Sequence, residues 1–189
     1  MHYLCVFCGS RTGNQLEYSS TARQLGRALV QHELGLVYGG GNIGLMGILA
    51  STVMEEGGEV IGIMPRQLAN QELLHAQITT THIVETMHER KALMAKLSSG
   101  FMTLPGGLGT LEECCEMLTW AQLRIHEKPC GILNCSGFFD GLLGFLDHQV
   151  KEGFLTPKNR ALVIEAADPE TLLNLMKPQL RMGEVRSEK

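Results

Sequence analysis

The feature that most constrains the fold is a regular alternation of two hydrophobic patterns. Short apolar runs recur at residues 3–8 (YLCVFC), 34–38 (LGLVY), 59–64 (EVIGIM), 81–85 (THIVE), 100–105 (GFMTLP), 129–134 (PCGILN) and 161–166 (ALVIEA). They are rich in β-branched residues and closed by Gly, Pro or Asn, as strands buried on both faces should be. Longer amphipathic stretches separate them. Over 15–33, Leu16, Ala22, Leu25, Leu29 and Val30 fall near one helical face, and 44–56, 87–97, 110–123 and 138–152 behave alike. A last helix should open at Asp168, whose carboxylate can cap it, with Pro169 at the favoured first position. The longest gap, 65–80, has room for a short helix at 70–75. Strand alternating with helix means a parallel sheet covered on both faces. The expectation is an α/β fold: a doubly wound, Rossmann-like sheet of about seven strands.

The chain has 189 residues with no linker or repeat, which fits one domain over 1–181 and a flexible tail at 182–189. Hydrophobic residues make up 44%, which excludes a disordered chain. The formal charge is -4, so there is no overall basic footprint for nucleic acid, and 5% aromatics argue against base-stacking platforms. The opening MHYLCVFCGSR lacks a basic stretch before a long apolar one, and no window approaches a membrane span, so neither a secretory leader nor a membrane partner is expected. Six cysteines lie mostly inside apolar runs, as in a reduced, cytoplasmic protein. Cys5 and Cys8 form a C-x-x-C, but within a strand-like run rather than at a helix start, and no second pair completes a zinc set.

Open α/β sheets bind ligands beyond the carboxyl ends of their strands. Three glycine-bearing segments fall there: Gly9-Ser10-Arg11, Gly39-Gly40-Gly41-Asn42-Ile43-Gly44, and Pro105-Gly106-Gly107-Leu108-Gly109-Thr110. Strand, glycine and helix in succession form an anion-binding arrangement, because absent Cβ atoms let backbone N–H groups and the helix start approach a phosphate. The G-x-G-x-x-G at Gly39–Gly44 follows the second strand, not the first, and Glu59 opens the next strand instead of closing it, which argues against NAD. No Gly-Lys-Ser/Thr follows either loop, so neither is a P-loop. Arg90 and Lys91 stand near the start of a helix, where cations are unfavourable unless an anion compensates them. By spacing, Thr110-Leu111-Glu112-Glu113 reads first as a capping box, a role that does not exclude a fixed carboxylate beside the site. Met117, Leu118 and Trp120 suggest core or subunit interface, Cys114 and Cys115 packing, His32 and His148 solvated positions, and His88 a weak proton-carrier candidate.

The stretch Pro105 to Glu113 spells P-G-G-x-G-T-x-x-E, and Met87-His88-Glu89-Arg90-Lys91 spells M-x-x-R-K upstream of it. Together these resemble the LOG ("Lonely Guy") family of cytokinin riboside 5′-monophosphate phosphoribohydrolases. Cys8-Gly9-Ser10, Val37 to Gly41, Gly44 to Gly47 and Thr119 to Leu123 extend the likeness over most of the chain. The resemblance implies a homodimeric hydrolase that cleaves the N-glycosidic bond of a nucleoside 5′-monophosphate, with no cofactor and no metal. It implies Arg90 and Glu113 as the catalytic pair. Substrate would be held by Lys91, by Gly106, Gly107, Leu108, Gly109 and Thr110, and by Leu111, Glu112 and Thr119. Gly9, Ser10, Gly40, Gly41, Gly44 and Met87 would join them, with Glu72 from the irregular stretch before the fourth strand. The dimer would bury the helix around Met117, Trp120 and Leu123. A lysine decarboxylase label used for such chains does not fit, because Lys91 and Lys96 lack a recognisable setting for a pyridoxal Schiff base. A phosphorylated-ligand carrier on the same scaffold is the alternative to an enzyme; the intact Arg90 and Glu113 favour the enzyme.

Overall fold

In a computed structural model, residues 2–69 and 74–182 are described. Seven strands, β1 (His2–Phe7), β2 (Leu34–Tyr38), β3 (Val60–Pro65), β4 (Thr80–Val84), β5 (Gly100–Thr103), β6 (Cys130–Leu133) and β7 (Val163–Ala166), form one sheet in the order β4-β3-β2-β1-β5-β6-β7. Every neighbouring pair is parallel. The chain winds outward from β1 to β4, returns to the other side of β1 with β5, and winds outward again. The reversal therefore lies between β1 and β5, where Leu4 stands opposite Gly100 and Phe7 opposite Thr103.

The helices are α1 (Leu16–Gln31), α2 (Gly44–Glu55), α3 (Arg66–Ala69), α4 (Met87–Leu97), α5 (Leu108–Gln122), α6 (Asp140–Lys151), α7 (Pro157–Arg160) and α8 (Pro169–Met182). One face of the sheet is covered by α1, α2 and α8, whose Leu25, Leu29, Leu49, Val53, Leu172 and Met176 pack with Leu4, Val6, Leu36 and Met102. The other face carries α4 and α5, with Met94 and Met117 against Phe7, Val37 and Phe101, and then α6 through Phe139 and Leu143. Each fully buried leucine contributes roughly 1.5–3 kcal/mol of transfer free energy, so these two layers fix the sheet before any polar group matters. Helix α4 is capped by Thr86, whose hydroxyl accepts from the Glu89 N–H at 3.1 Å, and Glu89 in turn accepts from the Glu85 N–H.

Several expectations are corrected. Helix α5 starts at Leu108, with Gly107 as its N-cap and no side-chain cap, so Thr110 is inside the first turn and Thr110-x-x-Glu113 is not a capping box. The short helix after β3 is Arg66–Ala69; of the expected 70–75, residues 70–73 lie outside the described residues and Leu74 pairs with Gly41 in an isolated antiparallel bridge. Thr156 caps α7, an unforeseen turn before β7, by accepting from the Asn159 N–H. Met117 is buried in the core and cannot form a subunit surface; Trp120 packs half-buried on the same cluster. His32 is hydrogen-bonded to Glu170 rather than solvated, and Cys115 is exposed rather than packed. The tail expected at 182–189 falls outside the described residues from 183 onward.

Candidate active site

At the reversal the loops after β1 and β5 are tied together. Gly9 donates its N–H to the Pro105 carbonyl at 3.0 Å. The Gly9 carbonyl accepts from Leu45 at 3.0 Å and Met46 at 3.4 Å, both in the first turn of α2. Those donors are the ones a helix start would offer an anion. The second glycine loop is therefore committed to the protein's own backbone. Gly44 takes φ +64°, and a Cβ there would overlap the Ser10 backbone, so only glycine fits. The start of α5 is different, because Gly107 brings no side-chain cap and Leu108 is 87% exposed. Gly107 and Gly109 have open space where a Cβ would stand, whereas a Cβ on Gly106 would overlap Thr110. A cavity of about 630 Å³ opens at this point, between Gly9 to Gly13, Tyr18, Pro105 to Leu108 and Phe138.

Beyond the loop, α4 and α5 face each other. Arg90 reaches over the ends of two strands. Its Nε donates to the Ile63 carbonyl at 3.1 Å and its Nη2 to the Gly39 carbonyl at 3.3 Å. Its Nη1 lies 3.8 Å from Glu113 Oε1, and both side chains are 12% exposed. A Cβ on Gly39 would occupy the place of the guanidinium, which explains glycine there. Burial pushes the Glu113 carboxyl above the ordinary glutamate range, and Arg90 beside it opposes that push. The pair is close but not hydrogen-bonded, so the carboxylate keeps its acceptor capacity for something else.

The structure gathers part of the set that the sequence singled out. Gly9, Ser10, Gly106, Gly107 and Leu108 line the cavity. Thr110 is buried beneath them. Met87 lies with its Sδ 3.8 Å from Arg90 Nη1. Gly40 accepts from the His75 N–H, and Gly41 bridges to Leu74, so both shape the wall rather than the centre. Leu111 is on the outer side of α5. Thr119 is six residues beyond Glu113, about 9 Å along the helix, with its hydroxyl donated to the Cys115 carbonyl. Glu72 lies outside the described residues. Lys91 is not in the cavity lining; its ammonium is hydrogen-bonded to Glu112 and is 3.1 Å from Glu116 Oε2, without hydrogen-bond geometry to the latter. Sequence reasoning missed Glu116 and Tyr18, and gave Gly39 no role in seating Arg90. The i,i+4 spacing of Glu112 and Glu116 was the available signal for the first.

Cys5 and Cys8 are buried free thiols at the heart of β1 and just after it, pushed well above the ordinary thiol range by burial, as packing residues are. Among the described residues no group of three His, Cys, Asp or Glu could hold a metal ion, and no helix is long and apolar enough to cross a membrane. A second cavity of about 480 Å³ lies at the amino ends of β6 and β7, around Arg124, Lys128 and Lys158; of the family-like segments, only Ala121 and Gln122 reach its lining.

The strand order and the tied loops at its reversal define the class, a doubly wound Rossmann-like α/β protein. Comparison with known proteins narrows this. The family described as "Possible lysine decarboxylase" matches residues 46–176. The chain is 50% identical to a probable cytokinin riboside 5′-monophosphate phosphoribohydrolase, LOG6 of Arabidopsis thaliana, over 86% of this chain and 81% of that protein. It is 46% identical to the Arabidopsis phosphoribohydrolase LOG1 over 90% of this chain and 80% of that protein. It therefore belongs to the LOG family. Among solved structures, the molybdenum cofactor binding protein of Rippkaea orientalis superposes with TM-score 0.70 at 21% identity, covering 94% of this chain and 96% of that one. The molybdenum cofactor carrier protein of Chlamydomonas reinhardtii gives 0.71 at 20%, covering 95% and 98%. At such identity the likeness concerns the fold alone.

Proposed function

We propose that this chain hydrolyses the N-glycosidic bond of a nucleoside 5′-monophosphate, releasing free base and ribose 5-phosphate. The observation that carries the reading is the buried Arg90–Glu113 pair standing beside the uncapped start of α5. The names of the relatives agree with it. The 5′-phosphate sits against the N–H groups of the first turn of α5, where Gly107 and Gly109 leave room for close approach. From Gly107 to Glu113 is about 9 Å along the helix, a reach suited to the ribose of the same nucleotide. As the C1′–N bond lengthens, positive charge grows on the ribose, and the Glu113 carboxylate stabilises it. Water attacks C1′, its oxygen bonds there, and its proton is carried away with the departing base. Arg90, held by two strand-end carbonyls, fixes the carboxylate and opposes its protonation. Phosphate binding far from the reacting bond orients it for cleavage.

Amino acid decarboxylation is the weaker reading of the family description. The Lys91 ammonium is taken up by two carboxylates, and Lys96 is exposed near the far end of α4. The proposed working unit is a homodimer in a reducing, cytoplasmic setting. All six cysteines are free, and Leu123 and Ile125, each 62% exposed, offer an apolar surface past α5. The test is incubation with AMP and with an N6-prenylated AMP, followed by chromatography for free base. Release of base with equimolar ribose 5-phosphate is expected; tight binding without release overturns the enzyme in favour of a carrier.

A further inference from the structure

Helix α5 carries three carboxylates on its first three turns, Glu112, Glu113 and Glu116, and α4 faces them with two cations, Arg90 and Lys91. Successive residues on a helix diverge by about 100°, while positions i and i+4 share a face. Glu112 and Glu116 thus form one acidic face, and Glu113 points to another. The cations divide in the same way. Lys91 is hydrogen-bonded to Glu112 and 3.1 Å from Glu116, while Arg90 stands 3.8 Å from Glu113 and is held in place by Ile63 and Gly39.

We propose that Lys91 is a positioning residue: by holding Glu112 and Glu116 it leaves Glu113 as the single carboxylate free to face Arg90 and substrate. This rests on the reading of Arg90 and Glu113 as the reacting pair. The charge count supports it over direct phosphate binding. Lys91 with its two partners carries a net charge of one minus, which repels a phosphate. Its side chain is only 10% exposed, with the ammonium turned to these two acids. The cations at the start of α4, which seemed to demand a ligand anion, are thereby answered by the protein's own acids. Without Lys91, Glu112 and Glu116 would repel each other at i,i+4 spacing, beside a Glu113 that then had Arg90 alone to hold it.

The electrostatics of Glu113 give this role a distinct signature. Besides burial, the groups acting on it are Arg90 and Lys91 from α4 and Glu112 and Glu116 from α5; the thiols of Cys5 in β1 and Cys8 just after it also face it and are themselves pushed up by its charge. The two cations hold its carboxyl down, and the two flanking carboxylates push it up. Removing Lys91 should raise the Glu113 titration further.

The test uses the full chain as wild type, Lys91→Met, Lys91→Arg, and the triple variant Lys91→Met/Glu112→Gln/Glu116→Gln. Carbon NMR titration of Glu113 is read beside kcat and KM for AMP. In Lys91→Met the Glu113 midpoint moves up and kcat falls on the order of tenfold or more with KM little changed, since small displacements of a reacting group are costly. Lys91→Arg, and the triple variant that removes the charges together, bring the midpoint back and recover much of kcat. An unmoved midpoint in Lys91→Met, a raised KM at unchanged kcat, or a triple variant no better than Lys91→Met overturns the proposal. Wild type that releases no base from AMP would sink the enzymatic reading instead, and the titration would still decide the arrangement of charges around Lys91. If Lys91→Met does not fold, Lys91→Arg against Glu112→Gln/Glu116→Gln carries the same titration test: the double variant lowers the midpoint, and a failure to do so overturns the proposal.

Discussion

Glu113→Gln separates charge from shape at the centre of the site. Glu113 is the sixth residue of α5, well past the cap, so the substitution leaves the helix start untouched. Gln has the same size and can fill the same space beside Arg90. What it loses is the negative charge. If the ribosyl cation stands about as far from Glu113 as Arg90 does, 3.8 Å, the attraction is worth ~4 kcal/mol at an effective dielectric of 20, against ~1 kcal/mol in bulk water. Exposure of only 12% for both side chains puts the site toward the first figure. The amide dipole of Gln retains part of this, leaving a loss of ~3–4 kcal/mol, or on the order of 10²–10³ in kcat. The assay is steady-state release of adenine from AMP at neutral pH, with AMP affinity by calorimetry and the melting temperature measured on the same variant. Affinity within a few-fold of wild type and an intact melting transition should accompany the lost turnover. A variant that folds, binds AMP and turns over at near wild-type rate would refute the electrostatic role of Glu113.

Gly39→Ala should keep the fold and displace the guanidinium, because its Cβ would meet the flexible end of Arg90 rather than backbone; a kcat loss on the order of tenfold or more with little change in melting temperature is expected, and an unaltered kcat would contradict the placement of Arg90. The pH dependence of stability has a definite sign. Burial raises the folded-state Glu113 carboxyl above its unfolded value, so the native chain binds the proton more tightly, and the stability this contributes is full below the ordinary glutamate range and lost as pH rises through the raised value. Glu113→Gln lacks that loss, so its melting temperature relative to wild type should be more favourable at pH 7 than at pH 4; a flat or reversed difference would refute the raised titration. Thr86→Ala removes the cap of the helix that carries Arg90 and should cost ~1 kcal/mol of stability, read as a lowered melting temperature.

The strands were legible because each is a short apolar run that both faces of the sheet bury, and all seven fall within two residues of the expected bounds. The start of α5 was misread by two residues because Thr110-x-x-Glu113 has the form of a capping box, while the true cap, Gly107, offers no side chain to recognise. Its place at a helix start, together with the family motif, put Lys91 with the substrate; its partners are on another helix, and their i,i+4 spacing signals a shared face but not which cation meets it. Met117 looked like interface because a large apolar residue on an α5 face is equally suited to either side, and only the position of β1 and β5 beneath it decides for the core. The second glycine loop was expected to bind an anion, yet its helix donors are spent on the Gly9 carbonyl, a contact across 35 residues that no local pattern reveals. Arg90 and Glu113 were found as a pair through the family motifs, not through spacing.

The central claim is that the site is anchored by a 5′-phosphate at the start of α5. The most direct test compares kcat/KM for AMP and for adenosine in the same preparation, with base release followed by chromatography. The account predicts adenosine to be poorer by at least two orders of magnitude, since it forfeits binding used to orient the reacting bond. Equal rates of base release from adenosine and AMP would contradict it.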